Sequence, residues 1–474
     1  MKNIANRLFA TRALLPSGWQ KDVMLEWDPG GCLTRVTADS AADVAVDDGT
    51  HGTDGTLAVA GVVLPGMPNL HSHAFQRAMA GLTEYRSNPT DSFWSWRTLM
   101  YQFVQKLSPA AMKAIALQLY IEMLKAGYTS VCEFHYVHHD AGGKPYANPA
   151  ETSECLIAAA AEAGIGLTLL PVLYQYSGFG AQPPHAGQAR FISSPEWIIA
   201  LLRRLQAAHP QHAGLRYGVA PHSLRAVSPA SLRELLGALD RWDAAAPIHI
   251  HIAEQAAEVE DSVATLGARP VAWLLDNFAI DARWCLVHAT HMAPAETQAL
   301  ASSGAIAGIC PSTEANLGDG IFNGALYTAA GGRWGIGSDS HVSTCMREEL
   351  RLYEYSQRLA QRQRNVLLDA QGSSVGAYLY TQALAGGTAA SGRPVAGLAV
   401  GQRADLLVLD DTHPDLCGKS RDQLLDSFIF CSHGLTPVRD VLSGGRWIVR
   451  HRRHIHEEVS AMAYRAALHD LLNG

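Results

Sequence analysis

Gly61–His73 reads GVVLPGMPNLHSH, an apolar run marked by glycine and proline that ends in two histidines one residue apart. Side chains alternate faces along a strand, so His71 and His73 leave it on the same side. Seven more short apolar runs with polar ends follow. They are TSVCEFHY (129–136), GLTLLPVLY (166–174), LRYGVAPH (215–222), IHIHIAE (248–254), CLVH (285–288), IAGICP (306–311) and WGIGSD (334–339). The segments between them read as helices. Ser108-Pro109 supplies an N-cap and first helical residue, and Gly127 a stop. Asn148-Pro149 starts another helix that Gly164 ends, and Ser228-Pro229 and Ala293-Pro294 start two more. Strands alternating with helices predict a parallel sheet. Eight such units over about 275 residues predict a closed (β/α)₈ barrel. A doubly wound open sheet is the second choice, and it lacks a G-x-G-x-x-G turn after the first strand.

Outside this core the pattern changes. GLAVGQRADLLVLD (397–410) and VRDVLSGGRWIVRHRRHI (438–455) carry short strand and turn signals, as does the N-terminal region. Both ends are expected to join in one small β-sandwich domain. The expected division is 1–63 and 395–474 for that domain and 64–394 for the barrel.

Composition bounds the function. The chain has 474 residues, 48% apolar and 17% charged, with a net charge of −7. No basic stripe suggests nucleic acid, and no run is long enough to span a membrane. RHRRH (450–454) reads as a solvated surface segment. The eight cysteines contain no C-x-x-C pair, which fits reduced thiols in the cytoplasm. No signal peptide is read at the N-terminus.

His-x-His is weak evidence alone, because 21 histidines in this chain give roughly one such pair by chance. Three occur: His71/His73, His249/His251 and His454/His456, the last expected at the surface. Position strengthens the first two, since barrel active sites gather at the C-terminal ends of strands. Strand 1 ends in His71 and His73, strand 5 in His251, strand 6 in His288 and strand 8 in Asp339. Three imidazoles and a carboxylate from three strand ends form a candidate zinc site with an open position for water. Glu254, at the mouth of strand 5, is placed to shuttle a proton, although such an acid also suits a first helical turn. His249 reads as core and His341 as a loop cap.

This pattern resembles the amidohydrolase superfamily, and the resemblance spans nearly the whole chain. It implies metal ligation by His71, His73, His251 and Asp339, with Glu254, His288 and Asp339 catalytic. Binuclear members bridge two metals with a carbamylated lysine. No lysine lies between Lys144 and Lys419, so a single zinc ion per subunit is expected. Five stretches narrow the match: MPNLHSHAFQRAMAGL (67–82), DSFWSWRTLMYQ (91–102), EFHYVHHD (133–140), PHSLRAVSP (221–229) and STEANLGDGIF (312–322). Together they resemble the formimidoylglutamate deiminases. The resemblance implies hydrolysis of N-formimino-L-glutamate to the N-formyl compound and ammonia, in histidine degradation, by a homodimer.

Such a substrate is a small dicarboxylate amidine, and arginine grips carboxylates with a planar fork. Arg225, just past strand 4, and Arg97, in the aromatic segment after strand 1, are the candidate clamps. A surface ion pair suits Arg97 equally well. The resemblance adds Gln76, Tyr136 and His222 as substrate contacts. Trp94 and Trp96 are expected to pack. Two alternatives remain: a deaminase of the same architecture acting on an aromatic base or adenosine compound, and a catalytically silent barrel used as a scaffold. The second is disfavoured because every ligand position is filled.

Overall fold

The computed structural model describes residues 6–40, 56–84, 93–368 and 372–473. In chain order the strands are β1 (Arg7–Leu15), β2 (Gly18–Trp27), β3 (Leu33–Thr37), β4 (Leu57–Pro65), β5 (Met67–Ser72), β6 (Tyr128–His135), β7 (Gly166–Leu173), β8 (Leu215–Tyr217), β9 (Ala220–Pro221), β10 (Ile248–Ile252), β11 (Trp284–His288), β12 (Ile306–Ile309), β13 (Arg333–Ile336), β14 (Leu406–Leu409), β15 (Val438–Ser443), β16 (Arg446–Arg450) and β17 (Arg453–His454).

Strands β5 to β8 form one parallel ladder and β10 to β13 another. Two seams join them. Strand β9 pairs β7, and the bridges Val219–Ile248 and Ser223–His251 link this region to β10. On the other side Asp339 N donates to His71 O (3.1 Å) and His73 N donates to Asp339 O (3.2 Å). The ring of parallel strands closes there. The fourth expected strand is broken into β8 and β9 at Gly218. A Cβ at that position would sit 2.3 Å from Pro247 O, so only glycine lets the neighbouring backbone approach.

Helices fall where caps are written in the sequence. Ser108 Oγ accepts from Ala111 N at 3.1 Å at the start of Pro109–Ala126, and Gly127 ends that helix at φ 101°. Ser228 likewise caps Pro229–Trp242. The helix expected from Asn148-Pro149 begins slightly later, at Glu151, and Asn148 Oδ1 accepts from Ala150 N instead.

Both chain ends join in one eight-stranded sheet, ordered β17-β16-β15-β14-β4-β1-β2-β3. It is apolar on both faces, as period-two alternation allows. Leu406 and Val408 belong to a cluster within this layer, with Leu8, Val23, Leu25 and Val63. Leu407 and Leu409 join the main core of the barrel. Burying each such side chain contributes about 1.5–3 kcal/mol. Strand β4 runs into β5 with only Gly66 between, so the sheet is continuous with the barrel strand that carries His71.

The C-terminal region departs from expectation in two respects. Helices Asp422–Phe430 and Glu457–Asn473 stand among the strands read there. His454 is buried, with its Nε2 2.9 Å from Ala163 O, and Arg452 pairs with Asp410 at 2.7 Å. The RHRRH segment is therefore partly built into the structure. A ring that meets a carbonyl almost three hundred residues away leaves no local sequence signal. No described helix is long and apolar enough to cross a membrane.

His138 shows how burial couples the fold to pH. Its ring is buried against Trp197, with Nε2 2.9 Å from Val172 O, and burial pushes its pKa down to about 3. The folded value lies below the unfolded one, about 6.5. Its stabilising contribution is therefore present above that pH and is lost as pH falls toward 3, by up to about 1.4 kcal/mol per pH unit. Urea unfolding across this range should show the stability difference between the wild type and His138→Leu shrinking as the solution is acidified.

Candidate metal centre and active site

Each candidate ligand stands at the C-terminal end of a barrel strand. His71 lies in β5 and His73 just beyond it, with His251 in β10, His288 ending β11 and Asp339 just past β13. His288 and Asp339 take left-handed backbone angles, φ 68° and 47°. That conformation costs roughly 1–3 kcal/mol for a non-glycine residue, and here it turns both side chains across the barrel mouth. Gly337 lets the strands meet, since a Cβ there would lie 2.7 Å from His71 Cβ.

Four donor atoms converge. His71 Nε2 lies 3.0 Å from His251 Nε2 and 3.4 Å from Asp339 Oδ1, and His73 Nε2 lies 3.3 Å from the same oxygen. Facing ring nitrogens at such a distance suit lone pairs directed at a shared cation. His73 Nδ1 donates to Phe134 O at 2.9 Å, which leaves its Nε2 as the free donor. Burial pushes the His71 pKa down to about 3, and those of His73 and His251 are also lowered, chiefly by burial. Against its own burial, Asp339 is held below the usual carboxylate range by the ring of His71 beside it and by the neighbouring His73 and His288. Neutral imidazoles beside an ionised carboxylate fit a borderline divalent ion.

A buried network braces these strands. Glu133 accepts from Ser72 Oγ (2.6 Å) and Ala74 N (2.7 Å). Asn69 Nδ2 donates to Ser338 Oγ at 2.6 Å. His341, expected to cap a loop, instead bridges Ser72 Oγ (3.1 Å) and Ser338 Oγ (3.0 Å) behind the ligand strands. His249 is core as read, its Nε2 2.8 Å from Ala390 O.

Glu254, His288 and Asp339 face one pocket together with Gln76, Arg97, Tyr136, His222 and Arg225. Gln76 Nε2 donates to Tyr136 OH at 3.0 Å. Arg225 lies 3.9 Å from both Glu254 and Glu258. Arg97 lies 5.7 Å from the Tyr101 ring centroid. Tyr174, Phe191, Met100 and Leu317 also line the walls, as does Trp96, which packs against the main core as expected. The side chain of Trp94 lies outside the described residues.

His288 Nε2 stands 3.6 Å from Glu254 and 3.8 Å from Asp339. Burial would lower its pKa, yet Glu254, Glu314 and Asp339 push it up to about 10. Burial raises Glu254 to about 7, opposed by His288 and Arg225. A carboxyl that titrates near neutrality beside an imidazolium is equipped to exchange protons.

Three buried acids were missed. Glu314 Oε1 meets His288 Nδ1 at 3.2 Å and accepts from Cys310 N at 2.8 Å, fixing the ring. Glu258 accepts from the backbone N of Ala253 and Glu254, both at 3.2 Å. Asp319 lies close to Glu254 and His288. Glu314 and Asp319 were visible in STEANLGDGIF, but no strand-end rule points to a loop acid.

Comparison with known proteins shows the family. Residues 62–448 match the amidohydrolase family, and residues 6–51 match the formimidoylglutamate deiminase HutF N-terminal domain. A formimidoylglutamate deiminase from Pseudomonas aeruginosa is 54% identical over 466 residues, 98% of this chain and 99% of its own. The chain belongs to the amidohydrolase family, and within it to the formimidoylglutamate deiminases. An amidohydrolase crystal structure from Brucella melitensis superposes with a TM-score of 0.90 at 46% identity, covering 98% of this chain and 99% of its own. A 5-methylthioadenosine/S-adenosylhomocysteine deaminase from Natronomonas pharaonis is more distant, 28% identical over 89% of this chain and 90% of its own. Amidohydrolases are metal-dependent, and His71, His73 and His251 form a group that could hold a metal ion.

Replacing His71 or Asp339 by Ala should lower bound metal at least tenfold after dialysis against a weak chelator. His249→Gln should retain it. Elemental analysis of the three purified variants checks this.

Proposed function

We propose that this amidohydrolase converts N-formimino-L-glutamate to N-formyl-L-glutamate and ammonia in histidine degradation, with one zinc ion per subunit on His71, His73, His251 and Asp339. The observation that carries the reading is the polarity of the pocket. Arg97 and Arg225 face it, as two substrate carboxylates require, and Glu254, His288 and Asp339 stand where the donors converge. The activity named for the Pseudomonas relative fits this division.

A zinc ion in that donor set supplies Lewis acidity, which brings the pKa of water toward neutrality. The chain's own residues do the rest. Arg225 and Arg97 hold the two carboxylates by charge-assisted hydrogen bonds, and Gln76, Tyr136 and His222 orient the chain between them. Glu254 takes the proton released as water adds to the amidine carbon, with Asp339 assisting, and returns it to the nitrogen that departs. His288, kept protonated by Glu254 and Glu314, offsets negative charge developing on the attacking oxygen. The walls of Tyr174 and Phe191 limit water around the reacting carbon.

The same reading places the enzyme in the cytoplasm as a homodimer. Its eight cysteines are all free in the structure, which agrees with a reducing compartment.

Ammonia release from N-formimino-L-glutamate should exceed release from guanine, cytosine or 5-methylthioadenosine by orders of magnitude, with zinc measured in the same sample. Reversal of that order would overturn the substrate assignment. Glu254→Gln should cut kcat roughly 10²–10⁴-fold with zinc retained. Arg225→Met should raise KM roughly tenfold to a hundredfold.

A further inference from the structure

Asp319 has no role in the steps above, yet it is held as firmly as the residues that do. It follows Gly318, whose left-handed turn ends the helix Pro311–Leu317. Its N donates to Glu314 O at 2.9 Å, and its carbonyl accepts from His291 Nε2 at 2.7 Å. Its Oδ1 accepts from Gln255 Nε2. The other carboxylate oxygen, Oδ2, is buried without a hydrogen-bond partner among the described residues. Asp319 is only 4% exposed, and its carboxylate lies within 4.8 Å of the reactive atoms of Glu254 and His288.

An ionised carboxyl without a cation is costly to bury. Arg225 and His288 are already engaged by Glu254, Glu258, Glu314 and Asp339. Burial, reinforced by Glu254, pushes the Asp319 pKa up to about 9. Such a group gains most when a cation arrives beside it.

The substrate brings one. An amidine is protonated at neutral pH, and adding water to the amidinium gives a formamide and an ammonium ion. Charge balances, so one positive charge is present at this end both when the reaction begins and when it ends. Resting on the deiminase reading, we propose that Asp319 is a specificity residue whose carboxylate, with Glu254, holds the cationic amidine nitrogen and the ammonium ion it becomes. The pocket then selects its substrate by charge at both ends, with arginine toward the carboxylates and Asp319 toward the amidinium.

N-formyl-L-glutamate tests this directly, since it keeps both carboxylates but is neutral at the reacting end. In metal-loaded Asp319→Asn, KM for N-formimino-L-glutamate should rise roughly tenfold to a hundredfold. The inhibition constant of N-formyl-L-glutamate should stay within about twofold, and metal content should not change. Asp319→Ser gives the same readout if the Asn variant does not fold. The proposal is overturned if the two constants move together, if neither moves, or if the variants lose a metal ion, which would make Asp319 a ligand. Wild-type protein that binds N-formyl-L-glutamate but releases no ammonia from the formimino compound would overturn the deiminase reading instead, and this proposal with it.

Discussion

Two backbone hydrogen bonds hold the active end together. Asp339 N bonds to His71 O and His73 N bonds to Asp339 O. They close the barrel between its first and last strands, and they fix three candidate ligands against one another. The first strand contributes a histidine on each side of Ser72, and the last brings its carboxylate across the seam. Closure and ligand assembly are therefore one event. The buried Glu133, Ser72, His341, Ser338 and Asn69 network lies along this seam, where misalignment would be most costly.

Charge organises what lies above it. The pocket brings arginines and carboxylates together among largely buried side chains, where unpaired charges are expensive. Most meet a counter-charge within the chain. Glu254 faces His288 and Arg225, and Glu314 and Asp339 both face His288. An exception stands where a ligand is inferred: among the described residues, Asp319 Oδ2 has no hydrogen-bond partner.

Much of this was legible in the chain. The barrel could be read because eight apolar runs recur between capped helices. His71, His73, His251, His288 and Asp339 could be picked out because parallel barrels present strand ends at one face. Glu254 needed only its offset from His251. What escaped depends on contacts far apart in sequence. Glu314 is meaningful only because a loop folds it under His288, and His341 only because Ser72 and Ser338 meet across the seam. His454 looked like a surface residue until its carbonyl partner on another element was known. The break at Gly218 depends on how closely Pro247 passes. Local pattern specifies elements, whereas these residues act through neighbours that the fold supplies.

The mixed-end sheet has a consequence for how the protein is made. Strand β4 pairs with β14 through Pro65 and Leu406, more than three hundred residues apart, and leads directly into the histidine-bearing strand. During synthesis β1 and β4 can pair early, but the edge of β4 stays open until nearly the whole barrel has emerged. An exposed apolar edge that waits so long is a site for mispairing. The last strands to leave the ribosome are thus the ones that seal the first, and a nascent chain cannot be fully protected until it is almost complete.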